Sequence, residues 1–192
     1  MAERAGDRGK AADGSDGERL IAEWFESYYE DIYQYLYFML GDRGGEAEDI
    51  LQEVFIKAYR NLHAFKGQSS PKTWLTAIAR NAALDAMRRR RWALTGFVSH
   101  KEDKAPPSDE PERALLTEER RAQVLGLLDA LKPAQREVIF FLYQKERSVK
   151  ETAALLGCSE ARVRTTSHRA LRVLRKNGEF QQWIGGEASD GD

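Results

Sequence analysis

Cysteine and histidine are scarce in this chain. Cys158 is the only cysteine among 192 residues, so no intramolecular disulfide can form and no thiolate metal site is indicated. The three histidines, His63, His100 and His168, are scattered, and no carboxylate cluster accompanies a helix-spaced histidine. A metal-dependent nuclease or another enzyme is therefore a poorly supported alternative. We expect no catalytic group, no cofactor and no metal.

Long hydrophobic runs are also missing. No apolar stretch approaches the length of a membrane span, and the N-terminus lacks the hydrophobic core of a signal peptide. We expect a cytoplasmic protein without membrane insertion. No segment alternates apolar and polar residues with the period of a strand, so the expected fold class is all-α.

Charge is unevenly distributed, although the net formal charge is only −1. Residues 120–178 contain 13 Lys or Arg against 5 Asp or Glu, a net charge of +8. Residues 95–119 contain 3 against 7, and residues 179–192 contain none against 4. A basic C-terminal module between acidic segments suits nucleic acid as a partner.

The segment 148–176 has the pattern of two short helices joined by a tight turn. Apolar residues at spacings of four and three share one face of the first helix: Val149, Ala153 and Leu156. Gly157 can adopt the positive φ of a helix end, and the Ser159 hydroxyl can cap the next helix. The pattern predicts a helix-turn-helix, whose second helix reads DNA in the major groove.

The second helix has an apolar face and a basic face. Its predicted inward residues are Val163, Ala170, Val173 and Leu174. Its outward residues are Arg162, Arg164, Thr165, His168, Arg169 and Arg172. Arginine can read guanine or pair with phosphate, although a basic face can also be merely solvated. Ser167 stands where an apolar inward residue is expected, so it either weakens the packing or hydrogen-bonds to its own helix.

Three more helices are predicted upstream. Apolar residues recur with helical spacing from Leu20 to Met39, and the glycines of segment 41–45 end this helix. The second helix, 46–62, places Ile50, Val54 and Ala58 on one face. The third, 73–91, has Trp74, Ile78, Ala82 and Met87 as its expected inward residues, with Leu75 and Leu84 at the edges.

These patterns predict two small helical domains, at residues 18–92 and 114–177. Helices at about 112–131 and 134–144 lead into the helix-turn-helix. Residues 93–113 are acidic and contain three prolines, which predicts a flexible linker. Residues 1–17 are expected to be disordered, and residues 178–192 to form a flexible acidic tail.

Sequence motifs in a fixed order resemble the extracytoplasmic-function (ECF) group of the sigma-70 family of bacterial transcription initiation factors. Residues 49–62 (DILQEVFIKAYRNL) are similar to the family's region 2.2, and residues 65–67 with 73–81 to regions 2.3–2.4. Residues 148–176 resemble region 4.2. The resemblance implies a region 2 helical bundle and a region 4 helix-turn-helix. It also implies a factor that binds core RNA polymerase, directs promoter-specific initiation and assists promoter melting.

The resemblance also implies protein partners. In the family, the second helix docks on the clamp helices of the polymerase β′ subunit, and the matching polar positions are Asp49, Gln52 and Glu53. Carboxylates and an amide on an outer helix face can pair with basic partner residues, although they can also form an ordinary solvated face. The β subunit and an anti-sigma factor are further expected partners, and a small-molecule substrate is not expected.

The same resemblance implies DNA contacts in both domains. The third helix and the loop before it open and read the −10 element, with Asn81 able to read a base edge. Cationic residues there track the backbone: Lys72, Arg80, Arg88 and Arg91. The expected −35 contacts are Arg162, Arg164, Thr165, His168 and Arg169. Thr166 departs from the basic residue often found at its position. Trp74 is interpreted as a core residue because it shares a helix face with Ile78.

A free-standing helix-turn-helix repressor or activator is the alternative from a different functional class. Such a protein needs a dimer interface to match paired half-sites, and no long apolar heptad is present. Co-purification with core polymerase distinguishes the two hypotheses. In the sigma interpretation the two domains are DNA readers on a flexible tether, whose weak contacts act together.

Overall fold

The computed structural model describes residues 14–41, 45–95 and 125–176, and these contain helices and no strand. The all-α prediction is confirmed. The elements are α1 (Gly14–Leu40), α2 (Glu46–Arg60), a 3₁₀ turn (Leu62–Ala64), α3 (Pro71–Thr95), α4 (125–129), α5 (Pro133–Ile139), a π-helical turn (Phe140–Gln144), α6 (Val149–Leu156) and α7 (Glu160–Lys176). None of the helices in these ranges combines the length and apolar character that crossing a bilayer requires.

Several predicted segments lie wholly or partly outside the residues that the structure describes, and two helix ends differ from the predicted bounds. Most of the N-terminal segment, the linker after Thr95, the first part (112–124) of the helix predicted at 112–131 and the acidic tail lie outside the described residues. Within the described part, α1 begins at Gly14 and α3 continues to Thr95. Helical structure therefore extends slightly beyond both ends of the predicted 18–92 domain.

Helices α1, α2 and α3 pack into one N-terminal unit. The expected faces of α1 and α2 are buried, with Ile32 at 1% and Val54 at 0% exposure. The chain leaves α1 at Gly41, whose φ of 82° is readily available only to glycine. Large apolar residues at helical spacing therefore fix how these two helices face the core.

The inward face of α3 differs from the prediction. Ala82 is buried as predicted, at 4% exposure, but Trp74, Ile78 and Met87 are only half-buried. The fully buried residues are instead Leu75, which was expected at the edge, with Ala79 and Ala83. The expectation followed the largest apolar side chains, but α3 turns a mostly alanine face toward α1 and α2. Short alanine side chains let helix backbones approach closely, so they occupy the centre while bulkier residues fill the margins.

Helices α4 to α7 form a C-terminal unit with two small buried clusters. One contains Leu127, Leu128, Leu131, Ile139, Ala170 and Leu174, and the other Val138, Ala153 and Val163. The predicted inward residues of α7 are thus buried, except Val173, which is half-buried. The predicted helix at 134–144 is present, but its last turn is π-helical: Lys145 N donates to Phe140 O over 3.0 Å.

The two units pack against each other. Phe140 and Phe141 of the π-helical turn belong to the main buried cluster of the N-terminal unit. Their ring centroids lie 5.2 and 5.8 Å from the ring centroid of Tyr35 on α1. Side chains of the C-terminal unit therefore complete the core of the N-terminal one, an arrangement that the sequence pattern did not predict.

Candidate DNA- and polymerase-binding surfaces

The helix-turn-helix is defined by local hydrogen bonds at each helix end. Ser148 Oγ accepts from Glu151 N at 3.2 Å, and Glu151 Oε2 accepts from Ser148 N at 2.9 Å, which is a capping box. The Ser148 hydroxyl also donates to Glu151 Oε2 at 2.7 Å, and this hydrogen bond, together with the one from Ser148 N, lowers the pKa of the Glu151 carboxyl. Gly157 ends α6 with φ of 61°, as predicted, and Ser159 Oγ accepts from Arg162 N at 3.3 Å. The turn between α6 and α7 is thus held by its own polar residues.

Helix α7 exposes all five predicted −35 residues: Arg162, Arg164, Thr165, His168 and Arg169. Its opposite face is buried through Val163 and Ala170 at 0% exposure. Arg164 Nη2 lies 2.7 Å from Glu160 Oε2, one turn earlier. Both side chains of this pair are largely exposed, so it contributes little stability and leaves Arg164 available to a partner.

Ser167 occupies the buried face of α7, where the sequence left its role open. It is 8% exposed, and its Oγ lies 3.4 Å from the Tyr143 hydroxyl of the π-helical turn. A larger apolar residue there would meet Tyr143. The serine therefore matches a neighbour from another element, which helical spacing alone does not reveal.

The five predicted −10 residues all lie on α3 and differ in exposure. Asn81, Arg88 and Arg91 are exposed, and Arg88 Nη2 lies 2.7 Å from Asp85 Oδ1. Lys72 and Arg80 are half-buried and engaged by carboxylates of other elements. Lys72 pairs with Asp31 of α1, and Arg80 pairs with Glu137 of α5.

The Arg80–Glu137 pair is a polar contact between the two units. Arg80 Nε and Nη2 donate to Glu137 Oε1 and Oε2 at 2.6 and 3.1 Å, and the Tyr35 hydroxyl donates to Oε1 at 2.9 Å. The hydrogen bond to Glu137 raises the pKa of the Arg80 guanidinium. Burial, together with the Glu137 charge, raises the pKa of Tyr35 well above its ordinary value. Glu137 is only 1% exposed, and a buried carboxylate is costly without partners, so these hydrogen-bond donors are needed to offset its burial.

Asp31 is a second junction between the units. Its Oδ1 accepts from Lys145 Nζ at 3.0 Å, while Lys72 binds Oδ2. Burial alone would raise the pKa of Asp31, but the hydrogen bonds and charges of Lys72 and Lys145 outweigh burial and hold the pKa below its ordinary value. Lys145 also donates to Gln34 Oε1 at 2.7 Å.

Arg90 is a structural residue within the arginine run 88–91. Its guanidinium donates to Leu40 O at 3.1 Å and pairs with Glu46 at the start of α2. Four consecutive residues cover the whole circumference of a helix, so one of the four had to point toward the bundle. The sequence predicted that only some of the run faces DNA, without indicating that Arg90 faces inward.

Trp74 lies in an aromatic cluster with Trp24 and Phe65. The ring centroids of Phe65 and Trp74 are 5.3 Å apart, and those of Trp24 and Phe65 are 5.1 Å apart. Trp74 also packs against the main buried cluster. Trp74 thus packs at the margin of the core rather than at its centre.

Helix α2 presents its predicted polymerase-docking residues outward. Asp49, Gln52 and Glu53 are exposed, and Glu53 Oε2 lies 3.2 Å from Lys57 Nζ. Ile56, which the sequence interpretation overlooked, is 48% exposed on the same side of the helix. Its position could have been recognised from the sequence, because Ile56 lies one helical turn after Gln52 and Glu53. Exposed apolar residues beside polar ones are typical of interfaces.

Family comparisons agree with this arrangement of two units. The model described as Sigma-70 region 2 matches residues 24–93, and the model described as Sigma-70, region 4 matches residues 127–176. The ECF RNA polymerase sigma factor SigX of Bacillus subtilis (strain 168) is 37% identical over 160 residues, covering 81% of this chain and 82% of SigX. SigW of the same organism is 33% identical over 168 residues, covering 81% of this chain and 87% of SigW.

Two solved structures share the fold. The sigma factor RpoE from Bartonella quintana, crystallised with the anti-sigma factor NepR, aligns with a TM-score of 0.62 at 22% identity, covering 82% of this chain and 96% of RpoE. CnrH in complex with the cytosolic domain of CnrY aligns with a TM-score of 0.60 at 23% identity, covering 85% of this chain and 90% of CnrH.

Proposed function

The chain belongs to the sigma-70 family of RNA polymerase sigma factors, in its ECF group, and from this membership we propose how its surfaces divide the work of initiation. It is a promoter-recognising transcription initiation factor that acts with core RNA polymerase on promoter DNA. The proposal concerns which residues carry each contact and how the chain is divided. The region 2 domain contains α1 to α3, residues 14–95, and the region 4 domain spans 114–177, with an acidic linker between them.

The exposed basic face of α7 is the observation that carries the proposal. Arg162, Arg164 and Arg169 project from one helix whose opposite face is anchored at Val163 and Ala170. A helix fits the major groove, where an arginine fork can bind guanine with two hydrogen bonds. Thr165 and His168 lie on the same exposed side. These five residues read the −35 element.

The polar face of α2 binds the clamp helices of the polymerase β′ subunit. Asp49, Gln52 and Glu53 supply acceptors for basic partner residues, and Ile56 supplies an apolar contact beside them. Contacts with the β subunit extend the interface. Asn81 reads the −10 element, and the cations around it hold the backbone of the opened strand: Lys72, Arg80, Arg88 and Arg91.

The remaining parts of the proposal concern regulation, location and chemistry. RpoE and CnrH have the same fold and are bound by the anti-sigma factor NepR and by CnrY respectively, which supports an anti-sigma partner for this chain. The protein works in the cytoplasm, where its polymerase and template are. It has no catalytic activity of its own, because the polymerase performs the chemistry.

Reconstituted transcription tests the proposal. Core polymerase with the full chain should start transcripts from a pool of templates with randomised −35 and −10 segments, and the selected templates should be enriched at both elements. Core polymerase alone is the control. A chain that protects specific DNA tightly without polymerase, and does not direct initiation with it, would instead be a free-standing repressor or activator.

A further inference from the structure

Trp92, near the end of α3, is a largely exposed tryptophan. Its exposed fraction is 74%, whereas Trp24 is buried and Trp74 is half-buried. It belongs to none of the buried clusters in the part of the chain that the structure describes. Tryptophan combines a large apolar ring with one N–H donor, so an exposed tryptophan is typical of a binding surface.

Trp92 lies on the stripe of α3 that also carries Asn81 and Arg88. An α-helix turns by about 100° per residue, which places these three positions within about 40° of one another around the helix axis. Asn81 and Arg88 are exposed as well. Along the axis, Arg88 lies about 10 Å and Trp92 about 16 Å from Asn81. A DNA strand that follows α3 from Asn81 therefore meets Arg88 and then Trp92.

The surroundings of Trp92 are strongly basic. Residues 85–92 contain one carboxylate, Asp85, and three exposed arginines: Arg88, Arg89 and Arg91. The fourth arginine of the run is engaged inside the bundle. Arg88 Nη2 lies 2.7 Å from Asp85 Oδ1, but the two side chains are 70% and 49% exposed, so a phosphate can replace this weak pair. The charge of this surface complements a DNA backbone.

We propose that Trp92 and Arg88 hold the sugar-phosphate backbone of promoter DNA upstream of the base that Asn81 reads. The indole ring packs on a deoxyribose and its Nε1–H donates to a phosphate, while the Arg88 guanidinium pairs with another phosphate. Tryptophan and arginine are also frequent in protein interfaces, but the stripe shared with Asn81 favours DNA. The inference rests on the proposed function, because it takes Asn81 to lie at the −10 element.

The position of this contact on the promoter follows from the geometry of α3. The chain continues from the end of α3 toward region 4, and the −35 element that region 4 reads lies upstream of the −10 element. The end of α3 is therefore directed upstream. At about 3.4 Å per nucleotide, Arg88 is expected about three and Trp92 about five nucleotides upstream of the base that Asn81 reads. Backbone contacts strengthen the promoter complex without selecting its sequence.

The lifetime of the promoter complex tests the role of Trp92. Trp92→Ala, assembled as the full chain with core polymerase, should dissociate from a promoter fragment about three- to tenfold faster than the wild type after addition of heparin. Trp92→Phe keeps a ring and loses the N–H donor, so its complex should have an intermediate lifetime. Both variants should capture core polymerase normally in the absence of DNA.

Promoters that carry one neutral methylphosphonate in place of a phosphate locate the contact. In the wild type, the complex should be weakened by replacements about three and about five nucleotides upstream of the base read by Asn81. The effect of the nearer replacement should disappear in Arg88→Ala, and that of the farther one in Trp92→Phe. Arg19→Ala is the matched control, because Arg19 is 73% exposed and lies 3.2 Å from Asp16, three residues earlier on α1. It should retain both effects.

The outcomes separate this inference from the proposed function. A wild-type lifetime in Trp92→Ala would overturn the inference, and initiation that still depends on the −10 sequence would leave the proposed function standing. Weaker capture of core polymerase by Trp92→Ala without DNA would overturn it by assigning Trp92 to a protein contact. A changed preference for one base in Trp92→Ala would overturn a backbone contact. A wild-type chain that directs no initiation would overturn the proposed function, and this inference with it.

Discussion

Arg90 near the end of α3 donates a hydrogen bond of 3.1 Å to the carbonyl oxygen of Leu40, the last residue of α1. The same guanidinium pairs with Glu46 in the first turn of α2. One side chain thus joins the ends of three helices. The carbonyl of Leu40 lies at a helix end, where oxygens lack an intrahelical partner.

Arg90→Ala should lower the free energy of unfolding by about 1–3 kcal/mol, because it removes hydrogen bonds to a carbonyl and a carboxylate. Arg88→Ala is the control in the same arginine run, and since its pair with Asp85 is exposed, it should cost about 0–1 kcal/mol. Urea denaturation of both proteins measures the difference. Equal losses in the two variants would contradict the structural role of Arg90.

Asp31→Asn should reduce stability at neutral pH and lose its effect in acid. The pKa of Asp31 is depressed in the folded protein, so its contribution is present above the ordinary carboxyl pKa and disappears as pH falls through the folded value. The difference in unfolding midpoint between wild type and Asp31→Asn should therefore shrink below about pH 4. Denaturation at a series of pH values measures it, with Asp85→Asn as a surface control. A difference that stays constant from neutral pH into acid would contradict this assignment.

Glu53→Arg should impair capture of core polymerase while leaving the helices folded. The substitution places a positive charge on the α2 face proposed to meet basic clamp residues, and like charges across an interface are strongly unfavourable. We expect affinity to fall by roughly tenfold or more. Glu23→Arg, the same reversal at an exposed α1 site, should leave capture unchanged. Normal capture by Glu53→Arg would move the docking surface elsewhere.

Arg169→Ala should weaken recognition of the −35 element. Arg169 is exposed on α7, and a two-point contact with a base is worth about 1–3 kcal/mol of discrimination. Transcription from templates varied at each −35 position measures the loss. Relaxed preference at one position indicates base reading, and a uniform decrease indicates a phosphate contact. An unchanged promoter profile would remove Arg169 from the proposed site.

Asn81→Ala should alter the choice of −10 sequence. The Asn81 amide is exposed beside Arg80 and can donate to and accept from a base edge. Templates varied only in the −10 element should show reduced discrimination, by about 1–3 kcal/mol at the affected base. The −35 preference is the internal control, since it depends on α7. Identical −10 preferences in variant and wild type would exclude base reading by Asn81.

Helical periodicity predicted α1 and α2 well because large apolar residues mark their buried faces. On α3 it identified Ala82 but misplaced Trp74, Ile78 and Met87, because the centre of the interface is mostly alanine, which carries a weak hydrophobic signal. Ser167 shows a similar limit: its burial depends on Tyr143, a residue of another element. The sequence could not indicate which arginine of the run 88–91 points toward the bundle, because that depends on where α1 ends relative to α3.

The sequence by itself determined the helices, their caps and the basic face of α7, since spacing, glycine conformation and hydroxyl capping act over a few residues. Only the tertiary structure decided which charged side chains are used within the chain. Arg80 meets Glu137 across 57 positions and Lys145 meets Asp31 across 114. No local rule connects residues so far apart, and their contact follows from burying Phe140 and Phe141 against α1. Through that packing, the two DNA-binding domains that the sequence predicted as separate share one hydrophobic core.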